Sequence, residues 1–243
     1  MILRKMAWMA GCCIVLPALA DSPFIIDNAE TTDYQHWEAY LYGTGIIEQQ
    51  VEFIQVPAVE LDYGLTPNCE LHTIFSNAVY AEPGFGPMVG ISDLETGVEY
   101  RFLQETDSHP QMSIFPKLEW PTGDARRELG NGKFWFKIPL LAQKSWGNWT
   151  ALSGIGYIYN DAFQSYSYPY GSVVLENNLS KNFMVGAEFY AQGTSFSDQS
   201  AYNLLNLGCS WSFAHNKAFQ IGLAHSVFGV ATEDVYVGLY WTW

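Results

Sequence analysis

His225 and Ser226 stand side by side in "LAHSVF", a candidate base beside a candidate nucleophile. A hydroxyl becomes a nucleophile when a base lies within hydrogen-bond reach and a third group orients that base. Here the neighbouring residues alternate as in a β-strand, and adjacent strand residues point to opposite faces. The pair therefore cannot serve each other. His215 falls in a short turn, and no serine with a partnered histidine and an orienting Asn or Asp is evident. The expectation is a protein without catalytic residues, with a lipid hydrolase as the least favoured alternative.

Charged residues at alternate strand positions suggest a different chemistry. Glu38, Glu60, Asp62, Glu70, Glu95, Glu99, Glu119, Glu176 and Glu188 share one face of their segments with Arg101, Lys117 and Lys137. If that face lines a wet lumen, Arg101, Lys117 and Lys137 should pair across strands with Glu99 and Glu119. The remaining carboxylates would then favour cations. Tyr40, Tyr42, Tyr190, Tyr236 and Tyr240 fall on the same face and would narrow the passage. Arg126, Arg127 and Lys133 gather in "PTGDARRELGNGK", either a solvated turn or an extracellular patch that meets lipopolysaccharide phosphates or folds into the mouth. The chain carries 25 Asp and Glu against 11 Lys and Arg, a net charge of −14, which argues against nucleic acid. No cofactor and no metal-ligand set is expected. Cys69 and Cys209 lack metal-site spacing and should lie outward, far apart and reduced.

These residues need strands to position them. Alternation places strands near 36–44, 51–63, 69–79, 92–105, 111–121, 133–144, 149–159, 170–179, 183–193, 202–213, 219–226 and 235–243. In the strand at 183–193, Phe183, Val185, Ala187 and Phe189 oppose Gly186, Glu188 and Tyr190. The connections alternate strictly between short turns such as "SWGN" and long loops such as "NDAFQSYSYP". That sorting, an even strand count and about ten residues per strand fit a transmembrane antiparallel up-and-down β-barrel of the outer-membrane type. A soluble sandwich has less reason to sort its loops, because both of its ends face water.

Aromatic residues make up 16% of the chain and charged residues 15%. The aromatics gather near strand ends, as interfacial belts do. Trp37, Trp146, Trp149, Trp241 and Trp243 border the short-turn end, with Phe102 and Phe213. Trp120 borders the long-loop end, with Tyr80, Tyr159, Tyr168, Tyr170, Phe196, Tyr202 and Phe228. Lipids and lipopolysaccharide of the outer membrane are the expected surroundings.

The opening "MILRKMAWMAGCCIVLPALADS" has Arg4 and Lys5, an uncharged run and the triplet Ala18, Leu19, Ala20. It reads as a secretory signal peptide cleaved after Ala20, too short for a membrane span. A lipoprotein signal at Cys12 is the rival, and it would leave hardly any apolar run. The expected organisation is a signal peptide at 1–20, a periplasmic segment at 21–35 and a barrel at 36–243.

Several stretches resemble an outer-membrane barrel family labelled for the MetA-pathway of phenol degradation. They are "SPFIIDNAETTDYQHWEAYLYG", "VPAVELDYGLTPNCELHTIFS", "GISDLETGVEYRF", "PKLEWPTGDARRELGNGK" and "ALSGIGYIYN". The N-terminal piece departs from the family's pattern, with Asp27, Asn28 and Ala29 where an acidic pair before a proline is usual. The C-terminal "VYVGLYWTW" also resembles the signal read by the outer-membrane barrel assembly machinery. The resemblance implies a barrel and transport of small, often hydrophobic solutes, and it supplies no catalytic residues. The expected function is a narrow channel or transporter, with a structural or adhesive barrel acting through its loops as the alternative.

Overall fold

The computed structural model describes residues 23–48, 50–162, 165–195 and 201–243. The signal peptide, its cleavage site and Phe196 lie outside the described residues. The fold is a closed antiparallel barrel of twelve strands. In chain order these are β1 (Trp37–Glu48), β2 (Val51–Thr66), β3 (Cys69–Ala81), β4 in two segments (Met88–Ile91 and Leu94–Leu103) and β5 in two segments (Gln111–Ile114 and Lys117–Trp120). They continue as β6 (Trp135–Trp146), β7 (Trp149–Asn160), β8 (Tyr168–Ser180), β9 (Phe183–Gln192), β10 (Tyr202–Ala214), β11 (Lys217–Phe228) and β12 (Thr232–Thr242). Each strand pairs with its sequence neighbours, and β12 pairs with β1 from Thr242 opposite Glu38 to Thr232 opposite Glu48. Trp37 and Trp243 exchange main-chain hydrogen bonds of 3.0 and 3.1 Å at this seam. Closure leaves no sheet edge to be satisfied.

Both broken strands have a visible cause. In β4 the outward residues are Val89 and Ile91 before the break and Val98, Tyr100 and Phe102 after it. The extra residue at Ser92–Asp93 shifts the alternation by one, as a bulge does. In β5 the break falls at Phe115–Pro116, where proline has no N–H for the ladder. The facing strand carries Pro139, whose carbonyl accepts from the Phe115 N–H at 3.2 Å. A recess of about 450 Å³ lies here, lined by Val98, Pro116, Leu118, Phe136 and Ile138 together with the lumen residues Lys117 and Lys137.

The outward face is apolar around the whole circumference. Leu41, Phe75, Ile138, Ile155, Leu175, Phe189, Leu207, Leu223 and Val237 are all exposed. Cys69 and Cys209 are free thiols on β3 and β10, strands well separated around the barrel. At the short-turn end Trp37, Trp146, Trp149, Trp211 and Trp243 are exposed, and Trp241 stacks on Trp243 with ring centroids 6.4 Å apart. At the other end Trp120 meets Phe134 edge-on and Phe136 stacks on Tyr159. Several residues expected in that belt turn inward instead, Tyr168 among them. Tyr170 and Tyr202 pack against Tyr190, Leu204 and Ala224 inside the barrel, because their positions on β8 and β10 share the lumen parity.

Candidate functional site

The lumen is occupied by the chain itself. The segment from Pro23 to Thr32, expected in the periplasm, runs up inside the ring of strands. It joins β1 through a turn at the short-turn end, where Gly64 lies against the Asp33 carbonyl. A Cβ at Gly64 would sit 2.0 Å from that oxygen, so only glycine lets the backbones pass this closely.

Polar groups on the wall satisfy the segment's backbone, which has no ladder of its own. Thr32 donates its N–H and its hydroxyl to the Glu70 carboxylate at 2.6 and 2.8 Å. The Ala29 N–H points at Gln143 Oε1, 3.4 Å away. Deeper in, Lys117 Nζ donates to Asp27 Oδ1 at 2.7 Å. Glu188 then accepts the N–H groups of Ile25 and Ile26 at 2.7 and 3.1 Å, along with donors from Ser172 and Asn206. Asn206 also donates to the Pro23 carbonyl. Glu30 sits where burial pushes its carboxyl above the ordinary carboxylate range, against the lowering effects of Arg101 and Gln143.

Apolar groups fill the rest. Ile26 and Ala29 are buried with Phe115, Leu141, Leu152 and Val174, and Phe24 packs on this cluster. Gly186, Gly208 and Gly222 stand directly opposite one another across β9, β10 and β11, all facing inward. Added Cβ atoms there would meet Phe24 at 2.6 Å, Pro23 at 2.8 Å and the Pro23 carbonyl at 2.4 Å respectively. This glycine row is a groove cut in the wall for the tip of the segment. A cavity of about 120 Å³ remains beside the tip, between Phe24, Thr44, Asp234 and Tyr236.

Most of the remaining lumen charges gather on β2 to β6. His72 lies between two carboxylates, Nδ1 2.6 Å from Asp62 Oδ1 and Nε2 2.9 Å from Glu95 Oε1. Lys137 Nζ is 2.6 Å from Glu95 Oε2, and Lys117 Nζ is 3.5 Å from Glu95 Oε1. Glu119 stands across from Glu95 and shares a hydrogen bond with it. The partners expected from sequence are thereby corrected. Lys117 and Lys137 converge on Glu95, which was not among the expected partners, and Lys117 also on Asp27, while Glu119 acts on Lys137 as expected. Arg101 reaches back to the β2–β3 turn, donating to the Pro67 carbonyl at 2.7 Å. Register explains the change: Glu95 faces Glu119 at the centre of the wall, whereas Glu99 and Arg101 lie nearer the short-turn end.

The other lumen positions are distributed around the ring. Tyr40 is buried with Ala218 and Tyr240 and donates to Glu38 at 3.2 Å. Glu99 is buried, Glu176 faces Gly186 and Thr150 across its ladders, and Tyr190 donates to Gln192. The loop with Arg126, Arg127 and Lys133 forms a single 3-10 turn capped by Asp124. Asp93 ties it to the barrel by accepting the N–H groups of Gly123 and Asn131, and Leu129 is fully buried. The Arg126 side chain is 94% exposed, and Lys133 pairs with Asp161 at the surface.

Sequence reasoning missed His72, Asp27, Gln143, Asn206 and the segment itself. His72 was legible, since it is two residues from Glu70 on the same strand face. The segment was not, because "SPFIIDNAE" has no periodicity, and only the inward glycines of β9 to β11 hint at something lying against them.

No family model and no curated protein sequence matches this chain. Solved structures do. The COG4313 outer membrane channel from Pseudomonas putida F1 superposes with a TM-score of 0.69 at 12% identity, covering 88% of this chain and 98% of that one. The NanC porin gives 0.59 at 6% identity over 84% and 98%. The KdgM porin, in complex with disordered oligogalacturonate, gives 0.56 at 8% identity over 83% and 98%. At such identities the likeness is one of fold, and the fold this chain shares with them is the outer-membrane β-barrel.

Proposed function

We propose that this protein is an outer-membrane channel for small solutes whose lumen is closed by its own residues 23–32. The observation that carries this reading is the seating of that segment on wall groups built to receive it: Glu188, Glu70, Lys117 and the glycine row. Noncovalent polar contacts can exchange for water, so the closure is reversible. A barrel meant only as a scaffold has no need of a fitted internal groove.

Small, largely apolar or aromatic solutes suit this interior best. The wall beside the segment presents Phe115, Leu141, Leu152, Val174, Tyr170 and Tyr190, and apolar lining with a few polar groups is what small-molecule sites use. The recess beside Pro116 offers a further apolar surface on the lipid side. The carboxylates disfavour polyanions such as the oligogalacturonate bound by the KdgM porin. Residual ion flow should prefer cations, since the wall carboxylates outnumber Arg101, Lys117 and Lys137. Reversal potentials in planar bilayers under a salt gradient check this, and a reproducible anion preference contradicts it. Uptake of small aromatic, sugar and fatty solutes into proteoliposomes then separates the solute classes.

A further inference from the structure

Three side chains converge on the lumen wall, Glu60 and Asp62 expected there from sequence and His72 not. Glu60 and Asp62 are two residues apart on β2 and so share its inward face, and His72 on β3 is the direct cross-strand partner of Asp62. His72 Nδ1 lies 2.6 Å from Asp62 Oδ1 and 3.5 Å from Glu60 Oε1. One ligand atom from each residue falls within 4.8 Å of the other two. We propose that Glu60, Asp62 and His72 form a site for one divalent transition-metal ion of the zinc class.

The donor set suits such an ion. Imidazole and carboxylates bind zinc at about 2.0–2.2 Å, and three protein ligands leave one position for water. The Asp62 contact must widen by a fraction of an ångström to admit the ion, while Glu60, the most exposed of the three, already stands further off. Behind the ring, Nε2 is 2.9 Å from Glu95, whose other oxygen is held by Lys137. A carboxylate on the far nitrogen of a ligating histidine fixes the tautomer and strengthens the nitrogen that binds metal. The ring is further held by the edge of Phe115, with centroids 5.1 Å apart at 84°.

Charge points the same way. Asp27, Glu60, Asp62 and Glu95 stand around Lys117 and Lys137, and Glu119, hydrogen-bonded to Glu95, shares a proton with it. A divalent cation adds one more positive charge to this cluster than the proton it displaces. The 2.6 Å contact between Nδ1 and Asp62 holds one proton, and metal binding displaces it: the bond to that proton breaks, the Nδ1 lone pair goes to the metal, the proton leaves to solvent, and Nε2 keeps its contact with Glu95.

The test uses the folded full-length protein in detergent, stripped with a chelator and titrated with zinc chloride by calorimetry in two buffers of different ionisation enthalpy. The expected result is one zinc per chain with about one proton released. His72→Gln and the isosteric Asp62→Asn should each weaken binding by at least about tenfold. Glu95→Gln should weaken it by about 10–100-fold, as loss of an outer-shell partner does. His225→Gln, which alters the exposed His225–Glu233 pair at the long-loop end, should leave binding intact. Cobalt substitution of the unmodified protein gives a readout that no variant's folding can confound, and visible absorption bands from one bound ion are expected. Binding of less than one zinc per ten chains, unchanged binding in His72→Gln, or loss only in His225→Gln overturns the proposal. Zinc binding is read without any ion flow, so it stands or falls independently of the channel.

Discussion

Glu188 concentrates more of the closure than any other single side chain. Its carboxylate accepts two backbone N–H groups of the segment and two wall donors, three of these bonds buried and that of Ile25 partly so. Each buried donor left without its acceptor costs about 1–3 kcal/mol. Glu188→Ala should therefore shift the seated population by at least about tenfold, and open probability in single-channel records should rise accordingly. An unchanged open probability would mean that apolar packing alone seats the segment. Lys117 acts differently, because it bridges Asp27 and Glu95. Lys117→Met strands Asp27 and leaves Glu95 to Lys137 and His72, and breaking a buried pair from one side costs about 3–5 kcal/mol. That variant should lower the thermal midpoint of the barrel as well as loosen the segment, and a normal midpoint in a thermal melt would contradict this role. Residue identity in the lumen was largely legible, since Glu70, Glu95 and Glu188 sit at alternate positions. Their partners were not, because a partner is fixed by register, and Glu95 rather than Glu99 lies opposite Glu119.

Among the elements, the strands follow from alternation and the segment does not. β9 and β10 present clean outward rows, Phe183 to Phe189 and Leu205 to Phe213, so their faces can be read directly. β4 cannot be read that way, because the bulge at Ser92–Asp93 reverses the parity and hides Met88–Ile91 from a single alternating pattern. The lumen side also holds more apolar residues than a water-filled channel needs: Leu141, Leu152, Val174 and Leu204 are nearly fully buried. They make sense only once Phe24, Ile25 and Ile26 lie against them. The glycine row makes the same point sterically. Gly208→Val should push Pro23 and Phe24 out of their groove, since even a Cβ meets them at 2.8–2.9 Å. The barrel itself should stay folded, because valine favours strands. Conductance measured beside the unheated gel mobility of the barrel checks both halves of that expectation. At the seam, the aromatic contacts of Trp243 with Trp37 and Trp241 are each worth about 0.5–1.5 kcal/mol beyond area. Trp243→Ala should slow assembly into vesicles, which the rate of gaining protease resistance measures.

At the scale of the whole molecule, a barrel of twelve strands is wide enough to need filling, and this chain fills it with a segment of its own. One part of the interior is apolar and packed, around Phe115, Leu141, Leu152 and Val174. Another part is a charged network centred on Glu95 and His72. The first grips the apolar side chains of the segment and the second its aspartate, so removing the segment exposes both an apolar wall and an acidic one. The most direct test of this account is single-channel conductance of the protein with residues 23–32 deleted, compared with the intact chain under the same salt. Deletion should raise conductance several-fold and leave a cation preference. A deletion variant that folds and inserts normally yet conducts no more than the intact chain would contradict the claim that this segment closes the channel.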